Sequence, residues 1–297
     1  VSLRILTDSA CDLPEHLIEE YGIEVLPFLV YIDGQEHIDG VNITPRQVYD
    51  AIRADKVPTT GQVPMEKFLE AFTKYAKANT PCLYLSFSSK LSGTCNTARL
   101  ALREVQRMYP AAQITIVDTH SGSLGQGLIV LEAAEMARAG KPAEDIIRHV
   151  QRRSQNNVEH VFSVDDLKYL YRGGRVNYSS AFLGSLLSIK PILHVKDGLM
   201  VPIQKVRGKK MAVKRIVELV KERSLGNPEQ LVAISHADDP KVADQLKALL
   251  GDVLGYRRFL VNVVGSVLGC HIGLGGVAAF FVNSSYDVPN LAQAPRG

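Results

Sequence analysis

The sequence predicts an α/β chain of two domains, a parallel-sheet three-layer domain first and an α+β domain with a mixed sheet second. Three observations carry that prediction. A chain of 297 residues lies where a single core usually splits in two. A strand, a polar turn and a helix follow one another three times before residue 140, the pattern of a parallel sheet covered by helices. After residue 190, Asp197-Gly198 separates two runs of β-formers, which is a hairpin signal and therefore an antiparallel pair. The boundary is placed near residue 155, after the polar stretch from Arg152 to Asn157, giving 1–155 and 156–297.

Taken in order, Leu3 to Leu6 is a short strand that runs into Thr7-Asp8-Ser9-Ala10-Cys11-Asp12. Asp12 and Glu15 have capping-box spacing, and Pro14 suits a first turn, so a helix is expected over Pro14–Tyr21. Glu24–Ile32 reads as one strand. Thr44 and Pro45 cap and open a helix. Pro58-Thr59-Thr60-Gly61-Gln62-Val63-Pro64 reads as an ordered turn before a helix over Pro64–Ala78. Strand Cys82–Phe87 ends in Ser88-Ser89-Lys90-Leu91-Ser92-Gly93-Thr94, from which a helix runs to Met108. Strand Gln113–Val117 ends in Asp118-Thr119-His120-Ser121-Gly122-Ser123, followed by helices to Ala139 and over Pro142–Arg153.

The second half is expected to hold a strand at Val161–Val164, a helical patch at Phe182–Leu187, and the hairpin of Pro191–Val195 with Leu199–Val206. A helix at Lys209–Glu222, strand Gln230–Ser235 and helix Pro240–Leu250 follow. Strands near Arg258–Val264 and Gly276–Val282 close the domain. The last fifteen residues read as a loose tail.

Composition excludes several functions. The net charge of +3 is too small and dispersed for a nucleic-acid partner. Lys205, Arg207, Lys209, Lys210, Lys214 and Arg215 gather locally, either as a solvated helix face or as a docking patch for an acidic partner or membrane surface. Cys11, Cys82, Cys95 and Cys270 form neither a CxxC pair nor a disulfide framework, and no metal-ligand spacing occurs. Val1 to Leu6 reads as a strand rather than a signal peptide. The apolar runs fall short of the roughly 20 residues of a membrane span. A cytoplasmic location is the expectation.

Two segments have the makings of a site. Ser88 to Asn96 sets hydroxyls and Gly93 at a helix start, where unpaired N–H groups and the positive dipole end favour a carboxylate or phosphate. Simple capping by Ser89 or Ser92 is the other reading. Gly265 to Gly276 surrounds His271 with glycines in what reads as a loop, matching neither a phosphate-binding Walker loop nor a dinucleotide fingerprint. His271 is there a ligand-binding donor or a structural one. Ser121-Gly122-Ser123-Leu124-Gly125 only brushes a nucleophile elbow. A Ser92–His271 hydrolase and a non-lipid sensor remain as alternatives; no catalytic residue and no metal ligand is assigned.

The motifs together resemble the DegV family of bacterial fatty-acid-binding proteins, which includes the binding subunits that serve fatty acid kinase. The resemblance rests on Thr7 to Leu13, Pro58 to Gln62, Ser88 to Thr94, Asp118-Thr119, Tyr171-Arg172-Gly173-Gly174-Arg175, Lys190 to Leu193, Lys205-Val206-Arg207 and His271 to Gly275, and covers nearly the whole chain. It implies a DegV-like fold and a long-chain fatty acid of the palmitate, stearate or oleate class as the bound ligand, with no cofactor. It implies a carboxylate held by Thr60, Ser92, Gly93 and His271. Asp8, Ser9, Thr59, Ser89, Thr94 and Gly273 would be their polar neighbours. Arg172, Arg175 and Arg207 would be exposed toward an ATP-dependent fatty acid kinase. A transient membrane contact is also implied.

Two positions depart from the family pattern: Gly61 stands where a serine is usual, and Leu274 where a proline is usual. The energetics suit such a ligand. Burying a sixteen-carbon chain is worth on the order of 10 kcal/mol before binding costs, whereas a buried carboxylate costs several unless hydrogen-bonded. Segments such as Val25–Val30 and Phe182–Ile189 supply apolar surface, with core packing as their ordinary role.

Overall fold

The computed structural model describes residues 3–176 and 188–283. The expected helical patch at Phe182–Leu187 and the tail beyond Asn283 lie outside the described residues.

Strands β1 (Arg4–Asp8) and β6 (Cys82–Ser86) are buried almost throughout, as strands covered on both faces must be. They form the middle of a parallel four-stranded sheet of order β2-β1-β6-β7, with β2 at Glu24–Leu26 and β7 at Ile114–Asp118. Helices α3 (Met65–Lys77) and α4 (Thr94–Met108) pack together on one face, where Phe68 and Phe72 meet the Tyr84 ring edge-on. Helices α1 (Glu15–Tyr21) and α5 (Ser123–Arg138) pack together on the other.

Helix α5 explains how the halves meet. Its sequence is apolar on nearly every side, with Leu124, Leu128, Ile129 and Val130 all buried, the mark of a helix with no solvent face. It touches β1 and β6 on one side and strands of the second sheet on the other. That sheet has six strands in the order β10-β9-β8-β13-β11-β12 and is mixed, with β11 and β12 parallel and the other pairs antiparallel. The strands are β8 (Val158–Ser163), β9 (Ile189–Lys196), β10 (Leu199–Arg207), β11 (Leu231–His236), β12 (Arg258–Val263) and β13 (Val277–Val282). Alternation sorts its residues between two cores: Val158, Phe162, Ala278 and Phe280 join the first core, while Val161, Val277, Ala279 and Phe281 pack under α8 (Lys209–Arg223) and α9 (Pro240–Leu254). The predicted class therefore holds. Residue 155 lies between α6 (Ala143–Arg153) and β8.

Several local expectations change. The run Glu24–Ile32 is two strands in different sheets, because Pro27 between them has no N–H to donate and ends the pairing. Strand β3 (Leu29–Ile32) instead centres a three-stranded antiparallel sheet with β4 (Gln35–Ile38) and β5 (Thr59–Gly61). Asp33 and Gly34, both at positive φ, make the β3–β4 turn, and Asp197-Gly198 makes the predicted β9–β10 turn in the same way. The Pro58–Pro64 turn thus contains a strand. Asp12 is no helix cap: α1 starts after Pro14, and the Asp12 carboxylate is buried and accepts from Ser123 Oγ at 2.6 Å. The glycine-rich segment is not a loop but helix α10 (Ser266–Ile272), which packs on α2 (Pro45–Arg53). Gly269 permits that approach, since a Cβ there would stand 3.1 Å from the Tyr49 hydroxyl.

Candidate functional site

Thr60 and His271 are separated by 211 residues and share a hydrogen bond of 2.9 Å between Oγ1 and Nε2. Each is placed by its element. Thr60, a β-branched strand former, pairs with Val30 at the edge of the small sheet. His271 occupies the last turn of α10 and leans against Gly173, where a Cβ would come 2.3 Å from its Nδ1. The side chain of Arg175 lies beside it, donating from Nε to Leu91 O at 3.1 Å and from its guanidinium to Gly173 O. Burial, and then the Arg175 charge, push the His271 imidazole down to about 4, so it is neutral at physiological pH.

The start of α4 forms the opposite wall. Ser92 Oγ lies 2.9 Å from Thr94 Oγ1 and accepts from Thr94 N at 3.2 Å. Thr94 Oγ1 also accepts from Val63 N at 3.3 Å, which ties the helix start to the segment after Thr60. Thr94 N is taken up by Ser92 Oγ, and Gly93, the N-cap residue, offers no side chain to cap the amides that follow. Gly93 also lets Gln62 lie close, since a Cβ would fall 2.5 Å from Gln62 Oε1.

Between these walls lies a cavity of about 290 Å³. Its polar lining is Thr60, Gln62, Ser92, Gly93, Arg175 and His271. Its apolar lining includes Phe28, Phe87, Leu91, Met200, Leu268 and Ile272. Leu91, Met200, Leu268 and Ile272 also line a second cavity of about 50 Å³ against the inner face of the six-stranded sheet, so an apolar pit abuts the polar chamber. Such a space takes an amphipathic molecule with an anionic head and a hydrocarbon tail. A nucleophilic dyad is not formed, because Ser92 turns to Thr94 and His271 to Thr60.

The four residues expected to hold a carboxylate are therefore together. Of their expected neighbours, Asp8 is sealed beneath the site rather than in it. It accepts from Tyr84 Oη at 2.7 Å, Phe87 N at 2.9 Å and Gln126 Nε2 at 3.1 Å, and burial raises its pKa to about 6. Ser9 acts one step away, accepting from the N–H of Phe28 at 3.1 Å. Thr94 braces Ser92, while Thr59 and Ser89 are exposed and line neither cavity. Gly273 is buried at the end of α10 with φ 71°, where a side chain would strike the Tyr169 ring. Arg172 and Arg207 are exposed as expected, but Arg175 is half-buried and lines the cavity, held by the carbonyls of Leu91 and Gly173.

Phe28 falls in the Val25–Val30 run expected to supply apolar surface, whereas Gln62 and Met200 were not foreseen as lining. Met200 follows the Asp197-Gly198 hairpin signal by two residues, but which face it shows depends on pairing across the sheet. Gly61 is explained: a Cβ there would stand 3.1 Å from the Tyr31 ring and 3.2 Å from Leu29 Cβ. Leu274 packs against the first core. Among the described residues no cluster of His, Cys, Asp and Glu is placed to hold a metal, and no helix is long and apolar enough to cross a membrane.

A family model described as an uncharacterised protein of the DegV family matches residues 2–284. A DegV domain-containing protein of Clostridium perfringens is 38% identical over 286 residues, covering 95% of this chain and 98% of the relative. Among solved structures, a fatty-acid-binding DegV family protein of Thermus thermophilus is 31% identical with a TM-score of 0.86, over 95% of this chain and 100% of that one. A DegV lipid-binding protein of Thermotoga maritima is 30% identical with a TM-score of 0.85, over 97% and 100%.

Proposed function

This chain belongs to the DegV family, and from that premise we infer that it binds one long-chain fatty acid, with the carboxylate and most of the chain in the chamber and the last few carbons in the pit. The observation that carries the reading is the adjacency of the two cavities, which share four apolar lining residues, with the Thr60–His271 pair on the polar side. A carboxylate at Thr60 favours the imidazole tautomer with the proton on Nε2. His271 then donates to Thr60 Oγ1, and Thr60 donates to the ligand. The first turn of α4 and the Arg175 charge add to the attraction. None of these groups needs to change covalently, so the role is carriage.

Mass spectrometry of small molecules released from the purified, denatured protein tests this. A near-stoichiometric C14 to C18 acid is expected. Its absence, together with no uptake of added palmitate or oleate, overturns the reading.

The finer reading is presentation of the bound carboxylate to an ATP-dependent fatty acid kinase, in the cytoplasm and with transient membrane contact. It is supported by exposed Arg172 and Arg207 and by a sequence without a nucleotide-binding motif. With a purified fatty acid kinase, ATP and Mg²⁺, acyl phosphate should form only in the presence of the loaded protein. Joint Arg172→Glu and Arg207→Glu substitution should raise the protein concentration required. Equal activity with both arginines reversed counts against docking there.

A further inference from the structure

The apolar pit has a hard end, and its residues say what that end does. His160 on β8 and Phe280 on β13 are direct cross-strand partners on the inner face of the six-stranded sheet. Their rings meet edge to face, with centroids 5.2 Å apart and planes at 82°. Both line the pit and neither lines the polar chamber, so they lie on the pit's own side of the shared residues Leu91, Met200, Leu268 and Ile272.

The His160 ring has nowhere to retreat. Its Nδ1 lies 3.0 Å from Val158 O, and its Nε2 accepts from Gly122 N at 3.4 Å. Behind it runs the first turn of α5, where a Cβ on Gly125 would stand only 2.2 Å from Nε2. The ring is wedged between that helix and Phe280. Burial lowers its pKa to about 4, so the wall is uncharged at neutral pH and compatible with a hydrocarbon end.

We propose that His160, backed by Gly125 and paired with Phe280, is the floor of the acyl pit and sets the longest chain the protein accepts. The proposal rests on the fatty-acid reading above. The pit, at about 50 Å³, holds about four water-sized groups, so the floor governs only the last few carbons. Close-packed walls do not yield gradually. Affinity should therefore rise with each added methylene until the terminus meets the imidazole, and then fall sharply.

The test is displacement of a fluorescent fatty acid by saturated acids from C12 to C20, on wild type, His160→Ala, His160→Val and His160→Gln. Wild type should show a cut-off between two even-numbered chains. Two further buried methylenes change affinity by on the order of tenfold. In His160→Ala and His160→Val the acid two carbons past the cut-off should gain by about that factor relative to the one before it. His160→Gln, close to the original volume, should keep the wild-type cut-off. Val is a strand former, so that variant keeps the test open if Ala does not fold. An unchanged cut-off in His160→Ala or His160→Val that still binds overturns the floor assignment while leaving the fatty-acid reading intact. Failure of wild type to bind any acid overturns both.

Discussion

Thr60 and His271 work as a pair in which each depends on the other's proton. With its pKa near 4, the His271 imidazole is neutral from pH 5 upward in the free protein. A bound carboxylate is an opposite charge for the protonated ring and should move that value upward. Nitrogen-15 NMR of the histidines with and without palmitate checks the direction. Thr60→Val keeps the strand but removes a donor to a charged group, worth about 1.5–3 kcal/mol, so affinity should fall between about 10- and 150-fold. A loss below about threefold in titration would separate Thr60 from the head group.

A second residue-scale effect comes from Asp12, whose pKa burial raises to about 8 despite the Ser123 bond. The unfolded carboxyl titrates near 4, roughly. Between those values the folded state binds the extra proton, so this contribution is full below about pH 4 and is lost as pH rises through 8. Burial raises Asp8 and Asp39 in the same direction. Urea unfolding of Asp12→Asn should show a flatter decline of stability from pH 5 to 8 than wild type does. The carboxylate positions were visible in the sequence, but their burial was not. Asp12 looked like a helix cap because spacing alone cannot say that the chain turns left-handed there, with φ 52°.

At the scale of elements, the parallel strands and their helices were legible because each is bounded by its own punctuation: Pro64 before α3, Gly93 before α4, Pro142 before α6. The same local logic misread α10. Five glycines over Gly265–Gly276 argue against a helix by propensity, and the helix forms because Gly269 and its neighbours pack on α2. Tyr49 Oη donates to Val264 O at 2.9 Å across that contact. Long-range packing of this kind leaves no trace in a window of sequence. Gly269→Val should push α10 off Tyr49 and displace His271. The expected result is weaker fatty-acid binding and a melting temperature several degrees lower, by differential scanning calorimetry. An unchanged melting temperature would show that α10 tolerates a wider spacing.

The β9–β10 hairpin is held to the first half by Ser88 Oγ donating to Gly198 O at 2.8 Å, and its turn is pinned within the second half by Asn156 bonded to Asp197 at 2.7 and 2.9 Å. It carries Met200 into the lining shared by the two cavities. Ser88→Ala should loosen that lining and speed release of the acid in stopped-flow measurements, with little change in the cut-off set at His160.

For the whole molecule, the class and order of the two sheets followed from patterning, and the residues that meet at Thr60 were named by motif. Distances and the adjacency of chamber and pit required the folded chain. Because the site draws β5 and α4 from before residue 155 and α10, Arg175 and Met200 from after it, a ligand there ties both halves of the chain together. Stability should rise with the logarithm of fatty-acid concentration above its Kd.

The long reach of that arrangement also has a timetable. Asn262 Nδ2 donates to Asp12 O across 250 residues, and α10 ends at Ile272. Phe87 and Leu91 leave the ribosome some 180 residues before α10, whose Leu268 and Ile272 line the chamber with them. At 5–20 residues per second, that is on the order of ten to forty seconds during which the nascent chain shows an uncovered greasy wall. The chamber therefore comes into existence only once α10 has been made, and a ribosome stalled before residue 265 would hold a chain in which it cannot form.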